Sequence, residues 1–352
     1  MNSKFIHLLN KVKEFTMTQF DKEYTVGSWG KGLLLYGILA KYLYDQDDSA
    51  LNFVKKWVIQ SIETQTAEGA LSGGDPSQVN FGLIGLSVLY FAETEQNPDQ
   101  FTNAIRKQAE YFLNPSLNRT EKGALYYLKM LPQIWVDAVA MMCPFLARVG
   151  TFLKDPKYTD EAIKQLELHI EYLKDPETGL YRHIWDEKVK KFSEGSLWGR
   201  GNGWLLVSLV EVTEQLSNDH LKKNQLITEI RRLIEAISLC QDENGFWRVF
   251  LDDFSEKSKI ETAGTLILAF GLSKAIRNEW VDASYTEYVQ NAFDAVISCV
   301  REDGMVMNAS GQTINPKYTS YNKPYPHVQG FFLITANEIK QLLQFLKEKQ
   351  LL

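Results

Sequence analysis

The chain has 352 residues, 38 of them basic and 44 acidic, for a formal net charge of −6. Apolar residues make up 45% and charged residues 23%, which excludes an intrinsically disordered or collagen-like chain. The acid excess argues against a dedicated nucleic-acid binder, because tracking phosphates takes clustered Lys and Arg, and the three widely spaced cysteines argue against a disulfide framework or a structural zinc site.

The first segment places Phe5, Leu8, Leu9, Val12 and Phe15 at helical spacing. It lacks the apolar core of a secretion signal, and no stretch reaches the roughly 18 apolar residues of a membrane span, so a cytoplasmic protein with no membrane partner is expected. Further along, two kinds of helix alternate. Segments 3–18, 48–65, 98–113, 156–174, 219–240 and 284–300 are amphipathic; in 156–174, Ile163, Leu166, Ile170 and Leu173 share one face. Between them, segments 32–44, 82–92, 135–153, 203–216, 264–276 and 330–346 are apolar almost all round, the mark of a helix buried on every side. Each buried helix opens on a similar local sequence: Trp29-Gly-Lys-Gly32, Asn80-Phe-Gly82, Trp135-Val-Asp137, Asn202-Gly-Trp204, Glu261-Thr-Ala-Gly264 and Val328-Gln-Gly330. A supersecondary unit repeated six times predicts an all-α (α/α)6 barrel, one domain over residues 1–352.

Long polar, Gly-rich segments precede the inner helices (66–79, 114–134, 175–201, 242–260 and 303–329), and short links follow them. Segments 178–193 and 245–258 read as short hairpins. The long loops therefore gather at the N-terminal ends of the inner helices, where free N–H groups and partial positive charge favour an anionic ligand.

Asp137 opens a nearly all-apolar helix beside Trp135. A helix cap is one reading. The other is a general acid/base, since a poorly solvated carboxyl is suited to holding a proton. The string Trp198-Gly-Arg200-Gly-Asn-Gly-Trp204 has no preceding strand, so it matches a dinucleotide loop only weakly. It reads as a tight turn or as a ligand cradle, with Arg200 gripping a carboxylate by two prongs and Trp198 and Trp204 facing a sugar ring. His183 falls in a polar hairpin and His327 at the start of the last inner helix, both at the loop end. His7 and His169 read as structural, and Glu187-Lys-Val-Lys-Lys191 as a solvated hairpin tip.

These residues, in this order, resemble the unsaturated rhamnogalacturonyl hydrolases of glycoside hydrolase family 105 and the related unsaturated glucuronyl hydrolases of family 88. The resemblance runs over nearly the whole chain and is most specific in Arg200-Gly-Asn-Gly-Trp204. It implies that Asp137 is the catalytic acid/base. It also implies that the substrate is a small anionic oligosaccharide ending in a 4,5-unsaturated uronate, such as unsaturated galacturonyl-rhamnose from rhamnogalacturonan, and that no metal or organic cofactor takes part. Trp29, Asn80, Trp135, His183, Trp198, Arg200, Trp204 and His327 are then the substrate-binding set. One position departs from the family pattern. Relatives often carry a second Asp where this chain has Asn80, with Asp75 nearby in the same loop. Two competing readings remain: an epimerase-like (α/α)6 sugar enzyme, which would want a His pair at the barrel mouth, and a non-catalytic carbohydrate-binding barrel. The oligomeric state stays open.

Overall fold

The computed structural model describes residues 3–21, 28–71, 77–255, 258–311, 320–321 and 323–351. The amphipathic segments form six outer helices: α1 (Ser3–Phe20), α3 (Asp48–Glu63), α5 (Asp99–Leu113), α7 (Pro156–Leu173), α9 (Lys223–Ser238) and α11 (Thr286–Ile297). The apolar segments form six inner ones: α2 (Trp29–Asp45), α4 (Gly82–Thr94), α6 (Asp137–Leu153), α8 (Gly199–Glu214), α10 (Thr262–Arg277) and α12 (Pro326–Glu348). Their burial follows their composition. On α9 only one stripe is buried (Leu226, Ile230, Leu233, Ile234, Ala236 and Ile237), whereas every residue of α10 except Arg277 is buried. Each inner helix packs against the next, and α12 closes onto α2, which makes the (α/α)6 barrel.

The closure is tight because two glycines meet there: a Cβ on Gly37 would lie 2.5 Å from the Gly330 Cα. Links from inner to outer helices are short. Gln46 and Lys154 take left-handed φ values of 59° and 54° after α2 and α6, and Asp47 and Asp155 cap the helices that follow.

Charged side chains fill the end of the barrel opposite the long loops. Arg148 Nη2 and Lys274 Nζ each lie 2.6 Å from a Glu211 carboxylate oxygen. Lys274 also reaches Glu214 at 2.5 Å, and Arg277 reaches Glu338 at 2.8 Å. Burial pushes the Glu211 carboxyl up, but Arg148 and Lys274 more than offset this and hold it down at about 2. Among the described residues, no helix is long and apolar enough to cross a membrane.

At the loop end, β1 (Gln133–Trp135), β2 (Ile184–Asp186) and β3 (Lys191–Glu194) form an antiparallel sheet in that order, with Trp135 opposite Ile184 and Ile184 opposite Glu194. The hairpin expected over 178–193 is β2–β3. Its partner β1 lies at the start of the expected 135–153 helix, which begins instead at Asp137. The 245–258 segment is not a regular hairpin; it carries isolated bridges, Arg248 to Ile260 and Phe250 to Trp198.

Candidate active site

The sheet sets the first half of the site. β1 leads directly into α6, so Asp137 stands at the first residue of that helix, and the Val136 N–H donates to the His183 carbonyl at 3.0 Å. Across this junction Asp137 Oδ2 lies 3.3 Å from His183 Nε2, close but not aligned as a regular hydrogen bond. On the other side of the ring, Nδ1 lies 3.3 Å from Glu194 Oε2. The His183 side chain is fully buried, while Asp137 keeps 14% of its side chain exposed. Trp135 meets the imidazole edge-on at 5.6 Å and Trp198 lies over it at 4.6 Å. Burial pushes the His183 imidazolium down, but Asp137 and Glu194 together lift it above its ordinary value. Burial raises the Glu194 carboxyl, and His183 and Ser196 outweigh that and hold it below the usual range.

The second half is built on α8. The Trp198–Trp204 string is neither a turn nor a glycine cradle: from Gly199 onward it is the first turn of α8, which starts four residues before the expected 203–216. Its glycines serve helix packing, since a Cβ on Gly203 would lie 2.2 Å from Ile267 Cγ2 of α10. Asn202 ties α8 to the loop ahead of β2, accepting from the Tyr181 N–H at 2.8 Å and donating to the Tyr181 carbonyl at 3.0 Å.

Arg200 does not offer two free prongs to a ligand. It is 2% exposed, and Nη1 donates to Glu261 Oε1 at 3.0 Å and to the Ser310 carbonyl at 3.0 Å, while Nη2 donates to the Gly311 carbonyl at 3.0 Å. A buried guanidinium needs a carboxylate of its own, and Glu261 supplies it. His327 is likewise engaged: Nε2–H donates to the Ser310 carbonyl at 3.1 Å. Burial, together with the Arg200 charge, pushes it well below the ordinary His value. Trp29, the first residue of α2, packs on His327 at 4.9 Å and edge-on against Trp204 at 5.9 Å. Asn80 accepts from the Tyr127 hydroxyl at 2.5 Å, and Tyr127 stacks flat on Trp135 at 4.5 Å. Asp75 lies outside the described residues.

One chain of contacts thus joins all nine residues singled out in the sequence. It runs from Asn80 through Tyr127 and Trp135 to His183 with Asp137, then by Trp198 and Arg200 to Ser310, His327, Trp29 and Trp204. Tyr127 and Ser310 carry this chain, and Glu194 braces its His183, without having been noticed in the sequence. None lies in a compact motif, and only the strand register and the loop fold bring them in. Among the described residues, five buried polar atoms on these side chains have no hydrogen-bond partner: Asp137 Oδ2, His183 Nε2, Trp198 Nε1, Arg200 Nε and Trp204 Nε1. Buried orphans are rare in folded proteins, and gathered around one site they point to a ligand. Asp137 Oδ2 and His183 Nε2 face each other; the other three are nitrogens that always carry a hydrogen, a set suited to an oxygen-rich anion.

The profile described as Glycosyl Hydrolase Family 88 matches residues 1–343. The chain belongs to glycosyl hydrolase family 88. It is 28% identical over 312 residues to unsaturated rhamnogalacturonyl hydrolase YesR of Bacillus subtilis, covering 86% of this chain and 85% of that one. It is 27% identical over 248 residues to an unsaturated 3S-rhamnoglycuronyl hydrolase of Alteromonas, covering 68% of this chain and 59% of that one. A crystal structure of a possible GH105 member from Klebsiella pneumoniae superposes with a TM-score of 0.85 at 24% identity, over 98% of this chain and 94% of that one.

The histidines of this family 88 enzyme are expected to separate in an NMR titration. His183 should titrate above 6.5, His169 near about 4 because burial depresses it, and His327 well below 6.5. Since the folded value of His183 lies above its unfolded one, its charge stabilises the fold fully below pH 6.5 and that contribution is lost as pH rises through the folded value. A His183 midpoint below 6.5 would show that the two carboxylates do not face the ring as described.

Proposed function

We propose that this hydrolase removes a 4,5-unsaturated uronic acid from the non-reducing end of short oligosaccharides, with unsaturated galacturonyl-rhamnose as the first substrate to test and Asp137 as the general acid/base. The observation that carries the reading is the inventory of carboxyls. Among the described site residues, Asp137 alone presents a carboxyl oxygen without a hydrogen-bond partner. Glu194 and Glu261 are turned into the protein's own hydrogen bonds. Glycosidases that act at the anomeric carbon need two carboxyls flanking the bond. Hydration of a vinyl ether needs one. Asp137 gives a proton to C4, positive charge develops at C5 and the ring oxygen, and water adds at C5 while returning a proton to the Asp137 carboxylate. The hemiketal so formed opens to a ketone, the hemiacetal left at C1 collapses to the aldehyde, and the neighbouring sugar departs as an alcohol. One water is consumed overall.

The donor nitrogens of Trp198, Arg200 and Trp204 are assigned to the uronate carboxylate and hydroxyls, and the indole walls exclude bulk water. The names of the Bacillus and Alteromonas relatives support the same substrate class. The test is ultraviolet absorbance of unsaturated uronyl disaccharides, because the conjugated double bond absorbs and hydration destroys it. Loss of absorbance with a galacturonyl-rhamnose substrate is expected. Absorbance that persists across galacturonyl, glucuronyl and sulfated substrates overturns the reading and leaves a sugar-binding barrel.

A further inference from the structure

Three strands bring three titratable side chains to one point. β1 leads into Asp137, β2 begins just after His183, and β3 ends in Glu194. Glu194 is not a loose surface carboxylate: its Oε1 accepts the Ser196 N–H at 3.1 Å, and its Oε2 accepts the Ser196 hydroxyl at 2.5 Å while facing His183 Nδ1 at 3.3 Å. The opposite ring nitrogen faces Asp137, and Trp135 and Trp198 cover the ring. The other nearby charges are spoken for. Arg182, next in sequence, turns to Asp175 and to the Gly195 carbonyl, and Arg200, on the far side of Trp198, is paired with Glu261.

Resting on the hydrolase reading for what the pair does in turnover, we propose that Glu194 is a positioning residue, which takes the Nδ1–H of His183 and so presents Nε2 to Asp137. With Nδ1 committed to Glu194, one mobile proton is left on the line between His183 Nε2 and Asp137 Oδ2. That proton goes from Asp137 to C4, which leaves the carboxylate and the bare Nε2 side by side. The proton that Asp137 takes from water returns to the same line, where the ring held by Glu194 can accept a share of it. Glu194 touches neither substrate nor water in this scheme; it fixes the ring that faces Asp137.

The test uses Glu194→Gln, Glu194→Asp and Ser196→Ala. It reads the His183 ring by NMR without substrate, with the resonance assigned by its absence in His183→Gln. In Glu194→Gln the midpoint is expected to fall by about one pH unit. Its kcat should fall about ten- to a hundredfold, the size usual when the partner orienting a functional His is removed, with KM moving by less than about threefold. Glu194→Asp should restore part of the midpoint. Ser196→Ala keeps the carboxylate but frees it, so it should shift the midpoint in the same direction by less. A merely structural Glu194 would lower the melting temperature and leave the His183 titration in place. An unmoved midpoint in both Glu194→Gln and Ser196→Ala overturns the proposal. Because that readout needs no substrate, a failure of the hydrolase reading in the absorbance assay is seen separately from a failure here.

Discussion

Replacing Asp137 with Asn is expected to lower kcat by about a thousandfold or more, since both proton transfers pass through this one carboxyl and general acid/base catalysis contributes roughly 10²- to 10⁴-fold. The fold should survive. The side chain keeps its shape, and the Val136–His183 backbone bond that positions it does not involve the carboxyl. What is lost in stability is the favourable meeting of a carboxylate with the N-terminus of α6, about 0.3–1 kcal/mol, together with its share in lifting the His183 imidazolium. The variant should still bind the substrate, with Trp135, Trp198 and Trp204 unchanged. The measurement is single-turnover absorbance decay beside a melting curve. A kcat within tenfold of the parent, at an unchanged melting temperature, would move the proton donor elsewhere.

The second large effect is on stability, at Glu261. Its side chain is 1% exposed, and its Oε1 takes hydrogen bonds from Arg200 Nη1 at 3.0 Å, the Ser310 N–H at 2.8 Å and the Ser310 hydroxyl at 3.0 Å. Its Oε2 caps α10 through the Gly264 N–H. Glu261→Ala strands the Arg200 charge in the protein interior and removes the cap together. Breaking one side of a buried pair costs about 3–5 kcal/mol. For a chain of this length that corresponds to a fall in Tm of roughly 5 °C. The double variant Glu261→Leu with Arg200→Met should recover part of the loss, because an apolar pair replaces an ion pair at little net cost. A melting curve of Glu261→Ala that overlays the parent's would show that Arg200 finds other support. The same substitution should disturb the mouth, since Arg200, Ser310 and His327 share this network.

The barrel was legible because its determinants are local. A helix hydrophobic on one stripe must lie on the outside, and a helix hydrophobic all round must lie within, so the alternation reads directly as two rings. The candidate site was legible for a related reason: six similar helix starts recur at one end, and most of its residues stand at or beside them. Their roles were less so. Three glycines in seven residues look like a turn, because glycine is poor in helices. At Gly203 the close approach of Ile267 on α10 outweighs that preference, so the string is helical and its Arg points into the protein. Arg200 was read as a ligand's partner because its own partner, Glu261, lies 61 residues away. Glu194 was missed because it lies one residue past the expected hairpin and meets His183 only through the register of the strands.

The cluster of Arg148, Glu211, Lys274, Glu214, Arg277 and Glu338 has a consequence for traffic. It ties the inner helices together at one end with charges bound to each other, so on the proposed function the substrate comes and goes by the loop end alone. Whatever enters by the loop end must back out by the same way before the next molecule can follow. A polymer cannot thread through such a chamber; it can only present its tip. On that reading, the work available to the enzyme is set by how many chain termini a solution contains, not by how much sugar, and any upstream cleavage that multiplies termini raises its throughput without touching the protein.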